Sequence, residues 1–166
     1  MEFKSWLSDA LAGEPLPADE QEVAAGSAQP LQVETVLNEA SWQRWLEVLN
    51  KAELFSFDTE TTSLNYMEAE IVGVSFAVEA DRAAYVPLAH DYPGAPAQLD
   101  RQQVLADLKP LLENPDAKKV GQNLKYDANV LANYGITLSG IAHDSMLESY
   151  VLDSIGTRHD MDSLAL

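Results

Sequence analysis

The sequence predicts an α/β fold in which a mixed β-sheet is flanked by helices. Three observations carry that expectation. Runs rich in β-branched and aromatic residues follow one another closely: LFSFDT at 54–59, IVGVSFAV at 71–78 and AYVPL at 84–88. After them, segments with helical spacing alternate with short apolar stretches, the order expected of strand–helix units. At 166 residues and 46% apolar content, the chain is long enough to bury one core and too apolar for wholesale disorder.

Each element follows from its residues. Phe3, Trp6, Leu7 and Leu11 keep helical spacing, and 1–11 reads as the end of a preceding region. Residues 12–32 read as an acidic flexible linker. The stretch 8–36 holds Asp9, Glu14, Asp19, Glu20, Glu22 and Glu34 without a Lys or Arg, and Gly13, Pro15, Pro17, Gly26 and Pro30 interrupt it. The globular domain is placed at 33–166. Trp42, Trp45, Leu46 and Leu49 fall at i, i+3, i+4 and i+7, one face of a helix. The three strands come next. Asp100 caps a helix with Gln103 completing a capping box. Val104, Leu105, Leu108, Leu111 and Leu112 form its apolar face, and Pro110 is expected to kink or split it. Lys119–Gly121 reads as a fourth strand, and Leu124–Tyr134 as a helix stopped by Gly135 at C′. A short strand is expected near Ile136–Ile141, and Asp144 then caps a helix reaching Leu152.

Composition narrows the function. No run of about 18 apolar residues exists to span a membrane. The N-terminus lacks the basic start and apolar block of a secretion signal. With no cysteine, disulfides and thiolate metal sites are excluded, and a reducing cytoplasm is the expected compartment. Ten Lys plus Arg against 27 Asp plus Glu leave −17, which by itself argues against a nucleic-acid partner. It equally permits an acidic surface that imitates DNA. Part of this charge lies apart from any site: three basic and ten acidic residues up to Glu53 account for −7.

The strand LFSFDTET sets Asp58 and Glu60 on one face with Leu54 and Ser56, and turns Phe55 and Phe57 to the other. Neighbouring carboxylates repel unless a proton or cation intervenes, and hard oxygen donors suit Mg²⁺ or Mn²⁺. The plainer alternative is a strand end meeting solvent. Asp127 falls on or beside the buried side of the 124–134 helix, where an acid needs a partner; the alternative is a solvated first-turn carboxylate. Gln122 and Asn123 stand at a strand-to-helix turn, suited to capping or to holding a substrate. Lys118, Lys119 and Lys125 form a small basic cluster that tolerates a phosphate, or a solvated rim. His90, His143 and His159 show no metal-ligand spacing, and an acidic helix start accounts for Asp160 and Asp162.

Three long segments in one order resemble the 3′–5′ proofreading exonuclease domain of bacterial DNA polymerase I. They are FSFDTETTSLNYMEAEIVGVSFAVE, KKVGQNLKYDANVLANYGI and AHDSMLESYVLDSIGTRHDMDSLA. EFKSWL near the start resembles the end of that polymerase's 5′-nuclease region. The resemblance implies a ribonuclease H-like fold and a DEDD-type, two-metal hydrolysis of the 3′-terminal phosphodiester. It implies two divalent ions, Mg²⁺ or Mn²⁺, with Zn²⁺ an alternative at one position. Asp58 would bridge both ions, Glu60 would hold the one that activates water, and Asp127 would help hold the other. Thr61 and Leu64 would lie against the terminal nucleotide. Gln122, Asn123, Tyr126, Met146 and Arg158 match positions that contact the single-stranded 3′ end of DNA. The implied setting is bacterial and cytoplasmic, with a polymerase domain in the parent protein.

The family's third motif, Tyr-x-x-x-Asp, has no counterpart up to Leu166; Tyr150 and Asp153 are one residue too close. The expectation is therefore a C-terminally incomplete domain, weak or inactive by itself and marginally stable. The alternative is a catalytically inactive exonuclease-like structural or DNA-binding module. In a decayed module the carboxylates themselves would be replaced, whereas Asp58, Glu60 and Asp127 are retained.

Overall fold

A computed structural model describes residues 32–156 and 158–164, so the readings for 1–11 and for 12–32 lie outside the described residues, except that Gln32, placed at the end of the linker, already pairs with Arg82 in a strand. Six strands form one mixed sheet: β1 (Gln32–Thr35), β2 (Leu54–Thr61), β3 (Ile71–Glu79), β4 (Arg82–Pro87), β5 (Lys118–Gly121) and β6 (Ile141–Asp144). Their spatial order is β1-β4-β3-β2-β5-β6. The consecutive strands β2, β3 and β4 pair antiparallel, whereas β1, β5 and β6 join parallel to β4, β2 and β5. The helices are α1 (Glu39–Lys51), α2 (Arg101–Glu113), α3 (Leu124–Ala132), α4 (Ser145–Leu152) and α5 (Met161–Leu164).

Alternation along β2 decides where the core lies. Phe55, Phe57 and Thr59 are buried, Ser56 and Asp58 are half-buried, and Leu54 and Glu60 are exposed. Phe55, Phe57 and Trp42 gather around Phe76, with ring centroids 5.7–6.5 Å apart. Leu49 from α1, Leu108 and Leu112 from α2, and Leu124, Val130 and Leu131 from α3 join the same cluster. Each such side chain contributes about 1.5–3 kcal/mol of burial. Trp42 Nε1 donates to Asp107 Oδ2 at 2.9 Å, fixing α1 against α2. Trp45 Nε1 donates to Glu34 Oε2 at 2.9 Å, tying α1 to β1 and lowering the Glu34 pKa.

The elements foreseen from the sequence are present, with four differences. Strand β1 carries no apolar period; it is held at the sheet edge by pairing with β4. Pro110 does not split α2, which runs unbroken to Glu113 because its five apolar residues are all buried. The capping box there is half-formed: Asp100 Oδ1 accepts from Gln103 N at 2.8 Å, but Gln103 Nε2 turns to Asp107 Oδ1. The strand expected near Ile136–Ile141 begins only at Ile141. Gly140 takes φ 71° and turns the chain, so buried Ile136 serves the core instead of a ladder.

The helix stop at Gly135 is as expected. Gly135 has φ 69°, its N–H donates to Ala132 O, and Ile136 N donates to Leu131 O, the paired bonds of a Schellman stop. Helix α4 also begins at Asp144 as expected, but buries none of its residues. Val151 and Leu152 are each 86% exposed, and Ile155 just beyond is 93% exposed.

Candidate active site

The site gathers where the C-terminal half of β2 meets the first turn of α3. Asp58 and Glu60 project from the open side of β2, while Thr59 between them faces the core. That inward threonine determines where Asp127 goes. Thr59 N donates to Asp127 Oδ1 at 2.9 Å, and Thr59 Oγ1 donates to the same oxygen at 2.6 Å. Asp127 is only 2% exposed, so this bonding answers the need for a partner.

The entry to α3 is built by a different aspartate. Asn123 occupies the N-cap position in the left-handed region, φ 58° and ψ 44°, and its side chain makes no cap bond. Asp144 supplies the cap from the end of β6. Its Oδ1 accepts from Asn123 N at 3.1 Å and its Oδ2 accepts from Leu124 N at 2.9 Å. Oδ1 also accepts from Met146 N and Leu147 N, capping α4. One buried carboxylate thus joins two helix starts and sets the angle at which Asp127 is presented. In the sequence Asp144 signals only the start of α4, because nothing local to it reveals a second helix.

Electrostatics single out the carboxylates. Burial first, then the charges of Asp127 and Glu60, push the Asp58 pKa up to about 6, against one hydrogen bond from the Thr59 backbone. Asp127 is also raised, by burial first, with the two Thr59 bonds opposing and the Asp144 charge adding to the rise. No Lys or Arg ion pair reaches any of the three among the described residues. Nor do they close into a ready three-ligand cation shell among the described residues. Hard carboxylate oxygens without a basic partner among the described residues, those of Asp58 and Asp127 with raised pKa values, fit a divalent cation by donor chemistry.

The expected nucleotide contacts fall into two groups. Thr61 Oγ1 and Tyr126 Oη share a hydrogen bond at 2.6 Å, and Ser63 O accepts the pair's remaining hydroxyl proton, pinning the chain after β2 to α3. Leu64 follows, 95% exposed. In the second group, Gln122 Nε2 donates to His159 O at 2.7 Å and Gln122 Oε1 accepts from Ser145 Oγ. Half-buried Met146 opens α4 beside them. Arg158 Nε pairs with Asp160 Oδ2 at 3.1 Å and is largely exposed. His159 stacks on Tyr150 at 3.8 Å, and its Nδ1 lies 2.7 Å from Ser149 Oγ. Gln122 therefore fastens the segment carrying Arg158 to the β5–α3 turn.

Two readings of the sequence are corrected. The three lysines do not form one surface cluster: Lys118 and Lys125 are exposed, but Lys119 is fully buried on the Phe55 side, where Nζ donates to Leu111 O and Asn114 O at the end of α2. Burial, then Lys118, brings its pKa down to about 8. Lys118 in turn donates to Pro115 O. Asn123 does not cap α3 through its side chain, since Asp144 has taken that task. The helix start at Asp160 is as expected, with Ser163 N donating to Asp160 Oδ1 at 2.8 Å. No local sequence signal marks Thr59, Ser63 or Ser145; Thr59 meets Asp127, Ser63 meets Tyr126 and Ser145 meets Gln122 only through contacts distant in sequence.

With this geometry in place, known proteins give it context. The family described as 3′–5′ exonuclease matches residues 33–166. The chain is 55% identical over 168 aligned positions to DNA polymerase I of Pseudomonas aeruginosa, covering 100% of this chain and 18% of that protein. It is 43% identical over 148 positions to DNA polymerase I of Rhizobium leguminosarum, covering 79% of this chain and 14% of that one. It thus spans less than a fifth of the length of these curated relatives. Among solved structures, Brucella melitensis NrnC with bound Mg²⁺ superposes with TM-score 0.54 at 17% identity, over 80% of this chain and 58% of that one. The POL domain of Pol1 from M. smegmatis, in complex with DNA primer-template and dNTP, gives 0.55 at 19%, over 72% and 19%. These likenesses show the shared ribonuclease H-like fold.

Proposed function

The chain belongs to the 3′–5′ exonuclease family of DNA polymerase I, and from that premise we propose that residues 33–166 carry a site for hydrolysis of the 3′-terminal phosphodiester of single-stranded or frayed DNA, with little or no turnover by these residues alone. One observation carries the proposal: Thr59, between Asp58 and Glu60 on β2, holds Asp127 Oδ1 through both its backbone N–H and its hydroxyl, so the three carboxylates gather at one place.

Asp58, Glu60 and Asp127 would hold two divalent cations, Mg²⁺ or Mn²⁺. When bound, such ions stabilise charge on the phosphate and activate the attacking water. The protein's share is positioning. Thr59 fixes one oxygen of Asp127, so that carboxylate is presented in one orientation. Asp144 fixes the helix that carries it. Leu64 offers an apolar surface to a terminal base, and the Tyr126–Thr61 pair holds the backbone from which Leu64 projects. Arg158 brings a cation to the strand's phosphates, tethered through the Gln122–His159 bond. A site of this kind reaches only an unpaired end, which favours mispaired termini because fraying them costs less. The acidic surface elsewhere repels duplex DNA, leaving cations and Arg158 to engage one strand.

The test is release of mononucleotides from a 3′-labelled single strand with Mn²⁺. Release is expected to be weak at most, to depend on Mn²⁺ and to vanish in Asp58→Asn. Equal release by the variant contradicts the proposal. A catalytically inactive binding module predicts metal-independent binding of the oligonucleotide and no release at any Mn²⁺ concentration.

A further inference from the structure

The sheet face that carries Asp58 and Glu60 also carries an aromatic device that the exonuclease reading leaves unused. Asp58, Ser75 and Tyr85 form one cross-strand row, and Glu60, Gly73 and Pro87 form a parallel row. Directly opposed residues share a face, so Tyr85 rises from the same side as Asp58. Its ring then leans across the neighbouring row. A Cβ placed on Gly73 would meet Tyr85 Oη at 2.0 Å and Cζ at 2.5 Å, so only glycine leaves room for the ring. Because Gly73 is in register with Glu60, the phenol is delivered beside that carboxylate.

The phenol is also locked. Tyr85 Oη lies 2.5 Å from His90 Nε2. His90 is itself clamped by Gln98, whose Oε1 accepts from His90 N at 2.8 Å and whose Nε2 donates to His90 O at 2.7 Å. Leu88 N and Ala89 N both donate to Val72 O, holding the intervening segment to β3. Glu60 is the contrast. It is exposed, and its carboxylate takes part in no hydrogen bond or ion pair among the described residues. A fixed hydroxyl therefore stands beside a free carboxylate on the open face. Burial, and next the Glu60 charge, push the Tyr85 pKa up, in keeping with that closeness.

We propose that Tyr85, locked by His90 across the Gly73 notch, is a positioning residue that orients the Glu60 carboxylate for the cation. The proposal rests on the reading of Asp58, Glu60 and Asp127 as cation ligands. In it His90 Nε2–H donates to the phenolic oxygen, and the phenol O–H donates to Glu60, leaving the other Glu60 oxygen for the ion. Partners of this kind around a ligand commonly alter metal affinity by about 10–100-fold.

Isothermal titration of the whole chain with Mn²⁺ tests it, alongside thermal unfolding without metal. Tyr85→Phe keeps the ring and is expected to unfold as the parent does, while binding Mn²⁺ about 10-fold more weakly. His90→Ala, which frees the phenol without removing it, is expected to weaken binding in the same direction. In Glu60→Ala, which removes the acceptor altogether, the further change Tyr85→Phe is expected to add nothing. Unaltered Mn²⁺ affinity in both Tyr85→Phe and His90→Ala overturns the proposal, as does an effect of Tyr85→Phe that persists in full on Glu60→Ala. The two levels separate cleanly. If Asp58→Asn loses Mn²⁺ binding while Tyr85→Phe retains it, only the role of Tyr85 falls. If Asp58→Asn retains it, the cation site falls and Tyr85's role falls with it.

Discussion

On one side of β2, Phe55 and Phe57 are within 1% of full burial and pack against Phe76, Trp42 and three helices. On the other side, two residues along the same strand, Asp58 and Glu60 gather like charge at a half-open surface. A single period-2 pattern thus produces a face that stabilises the fold and a face that opposes it. Burial, and then the charges of Asp127 and Glu60, push the Asp58 pKa up in keeping with that opposition. Thr59 is where the two faces meet, since it is buried with the aromatics yet holds Asp127 for the site. Charge accumulation that costs stability without a ligand is what a cation-binding surface requires, and the aromatic face offsets it.

Substitutions on the two faces are expected to separate stability from cation binding. The largest effect belongs to Phe57→Ala, which should lower unfolding free energy by about 3–5 kcal/mol through cavity formation. Denaturant titration checks this, and Mn²⁺ affinity of the protein that remains folded should be unchanged. Thr59→Val tests the shared residue. It removes one hydrogen bond from a buried carboxylate, costs about 1–3 kcal/mol, and should also weaken Mn²⁺ binding. Loss of stability alone would divide the two faces more sharply than the Thr59 contacts imply.

Asp58→Asn should act oppositely on the two properties. Without metal it is expected to stabilise by about 1 kcal/mol, raising the unfolding midpoint by about 3 °C, while abolishing saturable Mn²⁺ binding. The pH dependence follows the same sign. The Asp58 pKa stands at about 6 in the fold against 3.8 as its ordinary value. Between those values the folded chain holds a proton that the unfolded chain lacks, so this group's contribution to metal-free stability grows as pH falls from neutrality through that window. The Asp58→Asn variant should lose that component, which thermal unfolding across pH resolves by difference. The smallest effect is expected far from both faces. Arg44→Ala removes the exposed pair with Glu34 and should change stability by at most about 0.5 kcal/mol.

Much of the fold was legible because its signals are local. The Trp42–Leu49 period, the Asp100 cap and the Gly135 stop each act within a few residues, and each appears where expected. The alternation in LFSFDTET placed Asp58 and Glu60 together for the same reason. What escaped depends on distant partners. Lys119 resembles a rim lysine in sequence, but β5 pairs with β2 and turns it inward beneath Phe55, where the end of α2 satisfies its amine. Asp144 reads as the cap of one helix, and only the β5–β6 pairing brings it to the start of α3. The sharing of Asp127 between Thr59 and the site lies 68 residues apart along the chain, beyond any spacing rule.

The most direct test of the central claim is calorimetric titration of the 166-residue chain with Mn²⁺ at neutral pH, beside Asp127→Asn. The predicted result is saturable binding by the parent chain and its loss in a variant that still unfolds cooperatively. Absence of saturable binding in the parent, or equal binding by the folded variant, would contradict the assignment of Asp58, Glu60 and Asp127 to a cation site.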